Sequence, residues 1–239
     1  MHSLIRRLAR FWSADHSLTA LLALLVVMLF VMPPLGRVAP LEGLGGRILY
    51  TLILISGVLA ATRNRRATLV AAALVAADIA VGWAAAAVPG RGIRAASLAL
   101  SMTTVVILIL VVMAQVFREG PITMHRVFGA VAVYLLLGLA WTFAYSLTDL
   151  LQPGSFTLQS AAGENRFVAF IYYSFVTLST VGYGDIAPVN PLARSLATAE
   201  ALTGQLFPAI LIARLVAMEL YYRQARKEKH AQGGERRAG

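Results

Sequence analysis

Thr180-Val181-Gly182-Tyr183-Gly184-Asp185 is the stretch of this 239-residue chain whose residue types and spacing could do chemistry. A potassium-sized cation entering a narrow passage must exchange its water shell for oxygen ligands, and successive main-chain carbonyls supply them if the strand is held open. Aiming those carbonyls at one axis requires a backbone that alternates between ordinary and left-handed conformations, which glycine visits at little cost. Gly182 and Gly184 meet that need. Thr180 can add a hydroxyl oxygen at the inner end, while Val181 and Tyr183 turn their side chains away from the axis into packing. The extended stretch before Asp185 spans about 15 Å at ~3.3 Å per residue, room for several ions in file. The potassium ligands are thus expected from Thr180, Val181, Gly182 and Tyr183, with Gly184 completing the strand. Gly-Tyr-Gly alone is a weak signal, because soluble turns also set glycine beside aromatics. Here an aromatic stretch of short-helix length, Phe167 to Ser179, precedes it and an apolar run from Leu192 follows.

The elements that must position this strand are membrane elements. Hydrophobic residues make up 59% of the chain and charged residues 13%, with a mean hydropathy of +0.73, which excludes an ordinary soluble domain. Apolar runs fall at about 17–32, 47–62, 67–88, 95–117, 127–150 and 192–222, the first two short for a ~30 Å hydrocarbon core. The expected fold is an all-α membrane protein of six transmembrane helices, with a re-entrant pore helix and filter between helices five and six. There is no cysteine, so neither disulfides nor thiolate metal sites arise. No Ser/His/acid, metal-ligand or phosphate-loop constellation appears, so neither an enzyme nor a bound cofactor is expected; potassium is the permeant ligand. The net charge of +10 sits in clusters flanking the apolar runs, where orientation and anionic headgroups account for it without nucleic acid. Arg6, Arg7, Arg10, Arg63, Arg65, Arg66, Arg118, Arg126 and the basic tail outnumber Arg37, Arg47, Arg91, Arg94, Arg166 and Arg194 on the other side. Both termini are therefore expected in the cytoplasm.

Residues 166 to 222 resemble the pore of tetrameric potassium channels. The wider stretch from Arg126 to Tyr222, with Tyr134-Leu-Leu-Leu-Gly138, Pro153-Gly154-Ser-Phe156 and Glu200-Ala-Leu-Thr-Gly-Gln205, looks like bacterial six-helix ion channel family proteins. The first half resembles them only in hydropathy. The resemblance implies a potassium channel of a bacterial inner membrane. It makes Tyr172 and Tyr173 braces for Tyr183, with interfacial packing as the competing view, and Gly204 a gating hinge, with Pro208 favouring a kink one turn later. Some relatives carry a glutamate four residues before the filter threonine; this chain has Val176 there, so Asp185 must find another partner or face water, where it would concentrate cations. One filter segment occurs per chain and encircling an ion takes four, so the functional unit is expected to be a homotetramer.

Four segments follow. Residues 1–16 read as a cytoplasmic amphipathic helix on the membrane surface or simply as a basic flank. Residues 17–118 form four helices; the first run ends in Met32-Pro33-Pro34 without a cleavage pattern and is read as retained. The fourth run, Ala95 to Phe117, carries no arginine, so intrinsic voltage dependence should be weak. Asp78, the one acid in these runs, is a packing residue or a functional one, with Arg94, Ser101, Thr103 and Thr104 as candidate partners. Residues 119–222 form the pore domain, with Tyr134, Trp141 and Tyr145 on one face of helix five, a polar loop over 151–166, and Glu200 one turn outward from Gly204, within reach of the back of the filter. With Gly204 facing the pore, Leu211, Leu215 and Met218 fall on the same side and would close a hydrophobic gate. Residues 223–239 are expected to be a disordered basic tail. A potassium transporter subunit and a non-conducting regulatory membrane protein are the two rival functions; the first would need coupling acids at the midplane, for which Asp78 and Glu200 are the candidates.

Overall fold

The computed structural model describes residues 14–31, 33, 42–60, 65–88, 90–117, 123–158 and 165–238; the expected N-terminal surface helix lies almost wholly outside them. Helix α1 covers Ala14–Val26 and runs on as a π-helical turn, Val27–Val31. Then come α2 (Glu42–Ala60), α3 (Arg65–Ala87), α4 (Arg91–Val116), α5 (Met124–Leu151), α6 (Arg166–Leu178) and α7 (Pro191–Ala238). Among the described residues four stretches are long and apolar enough to cross a membrane: Thr68–Ala87, Arg91–Val116, Met124–Leu151 and Pro191–Tyr221. Ser17–Val31 and Leu44–Leu59 are apolar but shorter, as the sequence suggests.

Among the described residues the fold is helical apart from turns and two three-residue strands, which the sequence does not announce. Strand β1 (Phe156–Leu158) pairs antiparallel with β2 (Ile186–Pro188), Thr157 opposite Ala187. Pro153-Gly154 makes the turn that brings β1 back, with Gly154 at φ 86°, a left-handed position suited to glycine. The tail differs too: α7 continues to Ala238 rather than ending at Tyr222. Ala, Lys, Arg, Glu and Gln are good helix formers, and extending a helix already nucleated in the apolar segment adds one hydrogen bond for each residue fixed.

Helix α4 packs along α5, and α1 packs on both α2 and α5, so the first four helices lean on the pore half of their own chain. Leu21, Leu25, Leu54, Val105, Val112, Val133, Leu136 and Leu139 form the core of that contact. Between helices in lipid the hydrophobic drive is largely absent, and close packing of small residues takes its place. Glycines mark these points: the α-carbon of Gly57 meets Leu108, that of Gly129 meets Val116, and that of Gly138 meets the Phe175 ring. A β-carbon at Gly138 would stand 2.5 Å from that ring, which is pinned on the helix and cannot fold away like a flexible chain. Gly138→Ala is therefore expected to destabilise the solubilised protein by about 1–3 kcal/mol, read as a lowered unfolding temperature; an unchanged temperature would contradict the packing.

Asp78 is buried and finds hydroxyl partners. Ser101 Oγ donates to Oδ1 at 2.6 Å and the Tyr50 hydroxyl to Oδ2 at 2.8 Å. Ser101 was among the expected partners; Tyr50, from α2, was not. Thr103 instead donates to the Ala99 carbonyl of its own helix. Arg91, at the start of α4, reaches across to α5, its guanidinium donating to the Leu150 and Leu151 carbonyls at 3.1 and 2.7 Å. These are carbonyls a helix end leaves unpaired, so a cation there ties the four-helix half to the outer end of α5.

Candidate functional site

Helix α6 is built to deliver a strand. Asn165 caps its start, its Oδ1 accepting from the Phe167 amide at 3.0 Å, as N-cap asparagines do. At the other end Ser179 N donates to Phe175 O, and the chain turns into the filter stretch through Thr180 N to Thr177 O (2.9 Å), Val181 N to Val176 O (3.0 Å) and Gly182 N to Val176 O (3.3 Å). Val176 thus matters through its carbonyl, which gathers the first two amides after Thr180. The partial negative charge of the helix end is directed at the same place.

Backbone angles give the strand its chemistry. Gly182 stands at φ 59° and Gly184 at φ 79°, and Thr180 joins them at φ 61°. Every second residue is left-handed, the alternation needed for successive carbonyls to face one side. Thr180 is the departure from expectation: a β-branched residue in this region is a genuine outlier, and strain of that kind gathers at functional sites. A β-carbon added at Gly182 or Gly184 would meet nothing within 4 Å, so within one chain the requirement for glycine is conformational. Val181 and Tyr183 are 54% and 71% exposed in the protomer.

The two tyrosines before the filter part company. Tyr172 stacks on Tyr183, ring centroids 6.5 Å apart and planes within 4°, while Tyr173 is buried beside Tyr145 and Phe156. Tyr172 also answers the question left by Val176. The nearby Asp185 carboxylate, with burial second, pushes the Tyr172 phenol's pKa up to about 12. Asp185 Oδ1 accepts further from the Ile186 amide at 3.1 Å.

Around the outer end Tyr145, Phe156, Phe170, Tyr173 and Ile186 form a second core, with edge-on contacts such as Phe156 to Phe170 at 5.0 Å, the arrangement aromatic quadrupoles favour. The expected aromatic face of α5 does meet the pore helix. Tyr134 donates to the Leu178 carbonyl at 3.3 Å and stacks on Phe207 of α7. Asn190 was missed, although Asn190-Pro191 reads as an N-cap followed by proline at the first helical position. Its Oδ1 accepts from Ala193 N at 2.7 Å, and its Nδ2 reaches Gln152 and Ser155. One side chain thereby joins the end of α5, the β1 turn and the start of α7. Arg166 pairs with Asp149 at 2.9 Å, binding the start of α6 to α5.

Glu200 is fully buried between α7, α6 and α5, bonded to Tyr145 and Ser174. Gly204 requires a correction. Its α-carbon lies against the Leu178 carbonyl, and a β-carbon there would come within 1.8 Å of that oxygen. Gly204 therefore faces α6 of its own chain, and Leu211 on the same side packs against the core of α5; Leu215 and Met218 are partly buried with them. Helical spacing groups Gly204, Leu211, Leu215 and Met218 on one side of α7, and within the protomer that side is turned inward rather than left exposed. Ile212, Val216 and Leu220 are 61%, 54% and 56% exposed. Helix α7 passes through Pro208 without ending. The Arg214 guanidinium carbon sits 4.3 Å from the centroid of the Phe117 ring, a cation–π contact linking α7 to the end of α4.

An ion channel family model matches residues 122–220, from the start of α5 through the filter and most of α7, leaving α1 to α4 outside. A rice protein (Oryza sativa subsp. japonica) named two pore potassium channel c is 38% identical over 101 residues, 42% of this chain and 20% of that one. Protein LctB of Bacillus caldotenax is 33% identical over 87 residues, 35% of this chain and 64% of its own. The inward rectifier potassium channel Kirbac3.1 of Paramagnetospirillum magnetotacticum is 35% identical over 82 residues, 34% and 24%. The chain thus spans less than two thirds of each of these relatives.

Proposed function

We propose, from the match of residues 122–220 to an ion channel family model and their likeness to potassium channels, that this membrane protein is a potassium-selective channel conducting passively as a homotetramer. The observation that carries the proposal is the left-handed alternation at Thr180, Gly182 and Gly184 immediately after a capped helix. Four such strands would surround a dehydrated cation with carbonyl oxygens from Thr180, Val181, Gly182 and Tyr183, and with the Thr180 hydroxyl. The exposed Val181 and Tyr183 side chains support assembly, since neighbouring copies would cover them.

In this reading α1 to α5 and α7 are the six membrane-crossing helices and α6 is re-entrant. Both termini are cytoplasmic in a bacterial inner membrane, and the basic flanks meet anionic lipid. Asp185 forms an outer ring of negative charge. The gate is drawn from α7 residues left exposed in the protomer, Ile212, Val216 and Leu220 among them. Weak voltage gating follows from the absence of arginine between Arg94 and Arg118.

Potassium flux through the purified protein in liposomes tests the proposal. A channel passes potassium far above carrier rates without a coupled ion and with little dependence on the imposed potential. Coupled transport at carrier rates, or no flux, would overturn it.

A further inference from the structure

Counting hydrogens around Glu200 gives its protonation state. Oε2 accepts from the Tyr145 hydroxyl. Oε1 lies 2.6 Å from Ser174 Oγ, and the same Oγ lies 2.7 Å from the Gly138 carbonyl oxygen. A serine hydroxyl has one hydrogen, and a carbonyl has none. Were Glu200 ionised, one of these two close oxygen pairs would have no hydrogen between its members. A proton on Oε1 resolves the conflict: Glu200 donates to Ser174, Ser174 donates to Gly138, and Tyr145 donates to Oε2.

The surroundings agree. The titratable groups facing Glu200 are Tyr134 and Tyr145 of α5 and Tyr173 of α6, all hydroxyls. Among the described residues no basic side chain forms an ion pair with it. Arg166 is engaged by Asp149, one turn beyond Tyr145, and Arg194 reaches the Pro188 carbonyl. A carboxylate buried at membrane depth without a cation is strongly disfavoured.

We propose that Glu200 is a proton-binding site that sets the pH response of the channel, an inference that rests on the conducting role argued above. With its proton, the chain Glu200–Ser174–Gly138 joins α7, α6 and α5 and steadies the pore helix. When the proton passes to bulk water at alkaline pH, Ser174 turns its hydrogen to the carboxylate and the Gly138 contact is lost. The disturbance arises two residues from Val176, whose carbonyl holds the Val181 and Gly182 amides. Conduction therefore falls as pH rises.

Glu200→Gln separates the effects, because the amide donates to Ser174 and accepts from Tyr145 as the acid does but does not titrate. The test pairs infrared spectra with potassium flux, both on the full-length protein in liposomes. The expected results are a protonated-carboxyl carbonyl band at about pH 7 that E200Q removes, and flux that falls at least about tenfold between about pH 7 and about pH 9.5 in wild type but less than about twofold in E200Q. A wild-type spectrum with no band removed by E200Q overturns the proton site. Equal pH profiles in the two proteins overturn its regulatory role. The band without potassium flux at any pH supports the site and sinks the conduction reading instead. Should E200Q fail to assemble, Ser174→Ala removes the proton's acceptor and is expected to shift the band; an unshifted band overturns the proposal.

Discussion

Gly182→Ala is expected to abolish potassium flux while leaving the helices folded, and Gly184→Ala to do nearly the same. Both positions are left-handed, at φ 59° and 79°, where a β-carbon costs about 1–2 kcal/mol in one strand. In the proposed tetramer, with four strands around one axis, the cost would multiply to about 4–8 kcal/mol, enough to favour a rotated peptide that takes a carbonyl off the proposed ion path. Nothing lies within 4 Å of the added carbon in the protomer, so the helices have no reason to unfold. The expected pair of results is flux reduced at least about a hundredfold with helix content, by circular dichroism, unchanged. Wild-type flux in the alanine variants would mean that the strand does not carry the ion.

Gly204→Ala is the second large effect, and it separates a hinge from a close contact. As a hinge the glycine supplies flexibility, and alanine would stiffen α7 while leaving stability intact or improved. As observed, it admits the Leu178 carbonyl, and a β-carbon would sit 1.8 Å from that oxygen. The obstacle is backbone at the end of the pore helix, so α6 and α7 must separate. The expected outcome is a destabilisation of about 1–3 kcal/mol or more together with lost flux, because Leu178 stands two residues before Thr180. Thermal unfolding of the purified variant decides: an unchanged unfolding temperature with altered opening would restore the hinge.

The left-handed backbone at Gly182 and Gly184 was legible because residue type and spacing carry it: only glycine adopts that conformation at little cost. Thr180's left-handed backbone was not, since nothing in a threonine announces it; the fold imposes it through the Thr177 carbonyl. Glu200 was legible as a residue one turn from Gly204. Its partners come from 26 and 55 residues away, and only packing brings α5, α6 and α7 to one point. The gate shows the limit of periodicity most plainly. Spacing told which residues of α7 share a face, but not what that face meets. The charged tail was taken for disorder on composition, yet the same residues are good helix formers behind a long helix. Strand β1 is three residues long within a polar loop, and its partner begins 28 residues after it at Ile186, so the pairing had no local pattern to betray it.

The reversal potential of current through the purified protein in a planar bilayer, with potassium on one side and sodium on the other, tests the central claim most directly. Backbone oxygens of Thr180 to Tyr183 arranged for a dehydrated potassium ion require reversal close to the potassium equilibrium potential. Reversal near zero, or toward that of sodium, would contradict the account.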